Sequence, residues 1–175
     1  MDIFFITPFP DSIKTLIDNN IANQGVKKDL LVINIINPRD FAKDSYKKID
    51  DEPYGGGSGM VMMCEPFFAA IDYCISKSKN KPKIIFPSPK GKVLNHSISS
   101  ELSKEESIIF ICGHYKGLDQ RIIDKYVDLE VSIGDYIISN GELSSMIVFD
   151  SIVRLIPGVL NNLNSAMTDS FVDDL

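Results

Sequence analysis

Ser107-Ile-Ile-Phe-Ile-Cys-Gly-His-Tyr-Lys-Gly117 begins with apolar residues that do not alternate with polar ones and ends in a loop with glycine at both ends. A strand with one wet face alternates apolar and polar side chains, whereas a strand apolar at successive positions is covered on both sides. Ser107–Cys112 therefore reads as a buried strand. Ile3–Ile6, Leu30–Ile36 and Lys83–Phe86 are of the same kind, and Val127–Ile133 is a further strand. Helical patterns lie between them. Ile13, Leu16, Ile17 and Ile21 share a face behind a cap at Asp11 or Ser12. Pro66 suits the first turn of a helix with Phe67, Ala70, Ile71, Cys74 and Ile75 inward. Asn95 caps a helix carrying Ile98 and Leu102, Leu118–Tyr126 is a short helix, and Glu142–Leu155 is a longer one stopped by Pro157-Gly158. Asn37 to Gly59 is mostly loop, with a short helix near Phe41. The alternation predicts an α/β fold, a mostly parallel sheet with helices on both faces.

The chain has 175 residues, 44% of them hydrophobic, enough for one domain with a core. Three cysteines with no C-x-x-C argue against a disulfide framework or a zinc site and for a reducing compartment. The opening MDIFFITPFP is neither signal peptide nor anchor, and no apolar run approaches the ~20 residues of a spanning helix. A soluble, cytoplasmic protein with no membrane partner is expected. The net charge of −6 counts against nucleic-acid binding, which favours a basic footprint. Local clustering softens the objection: Lys27-Lys28, Lys43, Lys47-Lys48, Lys90 and Lys92 are candidates for one patch.

Glu52-Pro-Tyr-Gly-Gly-Gly-Ser-Gly-Met-Val-Met-Met63 places four glycines in five positions, an entropically costly choice. The run matches neither the Walker loop, which needs a lysine followed by Ser or Thr, nor G-x-G-x-x-G, because Met60 and Met62 stand at the final positions. It follows a polar stretch rather than a strand. Tyr54 and the methionines flank it with apolar groups, which favours a loop held against something over a mobile surface loop. Three other loops follow strands, where open α/β sheets bind ligands: Pro87-Ser-Pro-Lys-Gly91, Cys112–Gly117, and Ser132–Tyr136 with Ser139–Glu142. Each has Gly or Pro where backbone approaches a ligand.

In order, PRDF at 38–41, DDEPYGGGSGM at 50–60, PSPKGK at 87–92, CGHYKGLDQR at 112–121, SIGDYIISNGELSSM at 132–146, DSIVRLIPGVL at 150–160 and DSF at 169–171 resemble the bacterial tRNA (guanine-N1)-methyltransferases of the TrmD family, in the SPOUT superfamily. The resemblance covers nearly the whole chain. It implies a deep C-terminal trefoil knot, a homodimer with the active site at its interface, and bound S-adenosylmethionine. It also implies methyl transfer to N1 of the tRNA guanine at position 37, next to the anticodon and preceded by guanine. A magnesium requirement is left open, with no metal ligands assigned. The pattern alone predicts an unknotted doubly wound sheet, since knots are rare.

N1 of guanine carries a proton, so a general base must take it as the methyl arrives. Charge then develops towards O6, where a cation helps. The resemblance places the base at Asp169 and the cation at Arg154, from different subunits. Read without it, Asp169 is a solvated acid in a polar tail and Arg154 a cation at a helix C-terminus. The resemblance assigns the cosubstrate to Phe86, Pro87, Ser88, Pro89, Gly113, Tyr115, Ile133, Gly134, Tyr136, Ile138 and Gly141. It assigns the RNA side of the site to Tyr54, Gly55, Gly56, Gly57, Ser58 and Gly59, where bare backbone would approach a flat base. His114 receives no role. The sequence departs from the family at Lys116 (usually Glu), Asn140 (usually Gly), Ser144 (often Pro) and Tyr46 (often His).

Residues 1–160 read as the SPOUT domain and 161–175 as a linker to a C-terminal domain absent from this chain. The expectation is a chain that folds, dimerises and binds S-adenosylmethionine but methylates tRNA weakly or not at all. Two alternatives stay open: an inactive, binding-only module, and a SPOUT methyltransferase acting on another RNA target.

Overall fold

A computed structural model describes residues 1–160; the expected linker and Asp169 lie outside the described residues. In chain order the elements are β1 (Asp2–Ile6), α1 (Pro10–Asp18), α2 (Ala22–Lys27), β2 (Val32–Ile36), a 3-10 turn (Pro38–Phe41), β3 (Asp50–Asp51), β4 (Val61–Met62), α3 (Cys64–Lys77), β5 (Lys83–Val93), α4 (His96–Leu102), β6 (Ser107–Ile111), α5 (Gln120–Tyr126), β7 (Leu129–Ser132) and α6 (Gly141–Val153). Five strands form one parallel sheet in the order β2-β1-β6-β5-β7, and β3 and β4 pair apart as a short antiparallel hairpin.

The unalternating apolar runs are buried on both faces. In β1 and β6, Ile3, Phe5, Ile108 and Phe110 point one way, towards α1, α4 and α6. Phe4, Ile6, Ile109 and Ile111 point the other way, towards α3 and α5. Register places Phe5 opposite Phe110, and their rings stack at 5.1 Å. Phe149 of α6 closes over both, edge-on at 5.2 and 6.2 Å. Connections running towards β2 in the sheet cross the α1/α4 face, and those running towards β7 cross the α3/α5 face. All of these crossovers therefore share one hand, as the common twist of the strands demands.

Four local readings change. The first helix starts at Pro10 with no side-chain cap, because proline's fixed φ suits the first position; it ends before Ile21, which leads into α2 instead. Ile75 is 38% exposed rather than inward. The third long strand does not stop at Phe86 but runs to Val93. The glycine run does follow a strand, the two-residue β3, and joins it to β4. Three of the seven lysines of the expected basic patch are engaged elsewhere. Lys28 Nζ donates to the carbonyls of Gly158 and Val159 at 2.9 and 3.3 Å, and Lys47 and Lys48 pair with Asp40 and Asp51.

Phe149 is fully buried against two aromatic rings. Phe149→Ala should lower the unfolding free energy by about 3–5 kcal/mol, read from urea unfolding; a loss below about 1 kcal/mol would mean that the aromatic triad is not the centre of this face.

Candidate functional site

Ligands in open α/β sheets bind where neighbouring strands send their connections to opposite faces. Here β5 leads to α4 on one face and its neighbour β6 leads to α5 on the other. A cavity of about 430 Å3 opens at that point, at the C-terminal ends of β5, β6 and β7. Phe86, Pro87, Ser88, Pro89, Gly113, Tyr115, Ile133, Gly134, Tyr136, Ile138 and Gly141 all line it, with His114, Lys116, Asn140 and Ser144. All the residues assigned by resemblance to a cosubstrate therefore surround one space. Tyr115 and Tyr136 are 56% and 55% exposed, so neither is a core residue.

The walls are built from backbone at close quarters. Pro87 and Lys92 both pair with Val131, so Ser88–Gly91 loops out of β5 towards the cavity. A Cβ on Gly91 would lie 2.4 Å from the Glu130 and Val131 backbone, which admits glycine alone. Gly141 N donates to Gly113 O at 2.8 Å, and a Cβ on Gly141 would sit 2.3 Å from Gly113 N. Tyr115 holds a left-handed φ of 58°, strained for a residue with a side chain. Asn140 is extended, at φ −155°, and caps α6 by accepting from Leu143 N at 3.1 Å. Positive φ is not required there, and the asparagine does what a glycine cannot.

Beneath this wall lies an arrangement that sequence reasoning missed. Glu142, 2% exposed, accepts from Thr7 Oγ1 through Oε1 and meets His114 Nε2 through Oε2 at 2.6 Å. Burial pushes its carboxyl up, but the hydrogen bonds from His114 and Thr7 and the charge of His114 outweigh burial and hold it below the usual range. Glu142 follows a helix cap, where an acid is ordinarily a dipole partner, so no local signal marked its burial.

The predicted RNA-side residues do not line this cavity. Gly55, Gly56, Gly57 and Gly59 all have φ between 83° and 121°, and this left-handed turn is the reason for the glycines within the chain. Tyr54 is fully exposed and borders a separate groove with Arg121 and Met62. The two regions are nevertheless laced together. Lys116 N donates to Met60 O, Met62 N to Gly117 O and Asp119 N to Met62 O, each at 3.0 Å, and the Lys116 side chain fills the space over Gly59. Arg154 is exposed just beyond the far end of α6, away from the cavity that Gly141 touches at its start. Among the described residues, no group of three or more His, Cys, Asp or Glu is placed to hold a metal ion, and no helix is long and apolar enough to cross a membrane.

An open parallel sheet with a backbone-lined cavity at its switch point defines an α/β protein with a cavity of small-ligand size beside a separate groove. The family model of tRNA (guanine-1)-methyltransferase TrmD matches residues 1–175. A tRNA (guanine-N(1)-)-methyltransferase of Christiangramia forsetii is 48% identical over 100% of this chain and 77% of its own length. Another from Ruminiclostridium cellulolyticum is 45% identical over 97% of this chain and 73% of its own. The crystal structure of the tRNA (m1G37) methyltransferase from Aquifex aeolicus superposes with a TM-score of 0.84 at 39% identity, covering 93% of this chain and 72% of that one. The chain belongs to the TrmD family of tRNA (guanine-N1)-methyltransferases.

Because the Glu142 carboxyl is held below its ordinary value, its pairing stabilises the fold at pH above the usual glutamate range, near 4.5. That contribution is lost as pH falls through the lower folded value. Glu142→Gln should cost about 1–3 kcal/mol at pH 7, and the gap to wild type should close on acidification. Urea unfolding of both proteins across pH 3 to 7 checks this; parallel curves would refute it.

Proposed function

We propose that the chain transfers a methyl group from S-adenosylmethionine to N1 of the guanine at position 37 of tRNA. The cavity at the ends of β5, β6 and β7 carries the reading. Its residues fit the donor. Loop backbone at Pro87–Pro89, where Ser88 alone has an N–H, and at Gly113–Tyr115 carries donors and acceptors of the kind an adenine edge needs, and Ile133 and Ile138 offer apolar faces. The volume lies within the roughly 300–1,000 Å3 of small-molecule sites. S-adenosylmethionine supplies, when bound, an electrophilic methyl group on a sulfonium.

The remaining work falls to the chain. Asp169 takes the N1 proton as the base attacks. Arg154 faces the charge that develops on O6. The glycine hairpin receives the RNA beside Tyr54, and its bonds to Lys116–Asp119 tie it to the cavity wall. No protein cage for Mg2+ is assigned among the described residues.

A second copy of the chain completes the site. Arg154 follows the thirteen residues of α6, roughly 20 Å of helix from the Gly141 end, so it serves a partner's cavity rather than its own. Leu143 and Ile147, 43% and 46% exposed, lie with Arg154 on one stripe at steps of four and seven. A partner seated on this stripe would cover the two apolar side chains and receive the arginine. We also infer the trefoil knot, supported by the passage of Gly141 directly over the Gly113 backbone. The reading places the protein in the cytoplasm with its tRNA.

The test is nucleoside mass analysis of a tRNA transcript incubated with the chain and S-adenosylmethionine. 1-Methylguanosine is expected, and none from a transcript carrying adenine at position 37. A ribose-methylated product would overturn the reading, and donor binding without any methylated nucleoside would replace it with the inactive, binding-only module.

Shared sites predict complementation. Asp169→Ala and Arg154→Ala homodimers should each be inactive. A refolded equal mixture should recover roughly a quarter of wild-type activity, because half the dimers are mixed and each has one intact site. No recovery would place Arg154 and Asp169 in the same subunit's site.

A further inference from the structure

The methyl transfer leaves one costly group unused, the buried carboxylate of Glu142. A charge at 2% exposure persists only when its partners are well placed. Those partners come from the end of β1 (Thr7), the cavity wall after β6 (His114) and the first turn of α6 (Glu142 itself). The His114 ring is further confined by Phe9, whose ring centroid lies 4.9 Å away, and the His114 backbone N donates to Met62 Sδ at 3.1 Å. The residues on either side of His114, Gly113 and Tyr115, line the cavity, and so does Gly141, immediately before Glu142. The side-chain pair therefore spans the place where the two cavity walls meet.

We propose that His114 and Glu142 are positioning residues for the cosubstrate. The pair pins the Gly113–Tyr115 wall, with its strained Tyr115, against the Asn140–Gly141 wall, and so sets how tightly the donor is held. Neither residue takes part in proton transfer. The proposal rests on reading the cavity as the S-adenosylmethionine site.

The test is calorimetric titration with S-adenosylmethionine of wild type, His114→Ala and His114→Gln, with thermal melting and steady-state kinetics on tRNA alongside. His114→Ala should bind the donor about tenfold more weakly, the scale of one hydrogen bond to a buried charge. His114→Gln, whose amide reaches Oε2, should restore most of the affinity. The loss should fall on KM for the donor more than on kcat. If His114→Ala does not stay folded, His114→Asn, too short to reach Oε2, replaces it in the comparison with His114→Gln. A wild-type chain that binds no donor overturns both this proposal and the reading beneath it. Wild-type binding with the short variant within twofold overturns this proposal alone. A glutamine variant that regains melting temperature but not affinity does the same, as does a loss confined to kcat.

Discussion

Gly141 rests on the backbone of Gly113 at a distance that leaves no room for a single methyl group. The site depends on this contact. It brings the start of α6 from the β7 edge of the sheet to the end of β6, and the Gly141 N–H to Gly113 O bond fixes the contact at its centre. A side chain at 141 would displace both walls of the cavity, because each wall is a backbone segment and backbone does not repack as a leucine does. Asn140 and Glu142 flank the contact, one capping the helix and the other anchoring it from beneath. The local sequence Asn-Gly-Glu is thus read in three ways within three residues: cap, contact and buried anchor.

The glycine hairpin obeys a different constraint. Nothing crowds Gly55 or Gly56 within 4 Å, so close approach does not explain them within this chain. Their positive φ does. A run of left-handed residues between two short strands projects backbone into solvent without side chains to shield it. Such a surface suits a broad, flat ligand better than a small one, consistent with its place beside the cavity rather than inside it. Lys116 sits at the junction, its side chain lying over Gly59 and its backbone bonded to Met60. Lys116, where the resemblance expects Glu, therefore stands at the seam between the cavity and the glycine hairpin.

Much of the fold was legible because the signals were local and strong. Ser107–Ile111 and Ile3–Ile6 are apolar on both faces and Asn95 caps α4, and these readings rest on side chains a few residues apart. The cavity lining was legible through family resemblance, and the glycine and proline positions after each strand pointed to the same loops. What escaped was long-range. The extension of β5 through Gly91 requires knowing that Glu130 and Val131 lie against it, and proline-glycine sequences ordinarily argue for a turn. The Thr7–Glu142 bond links residues 135 positions apart, and no pattern within a window announces it.

The acidic balance of the chain is easier to reconcile with an RNA substrate once individual lysines are followed. Lys28 caps carbonyls after α6, and Lys47 and Lys48 answer acids on their own loop, so a count of charges in the sequence does not say which cations face a ligand, although pairing leaves the net balance unchanged. Lys90 and Lys92 remain exposed on the bulge of β5 and Lys116 at the cavity wall. Phosphate attraction is local at physiological salt, decaying over about 8 Å. A few cations around one opening therefore matter more to an RNA strand than a net charge of −6 spread over the whole chain, and the composition that first argued against nucleic acid loses its force at the scale of the site.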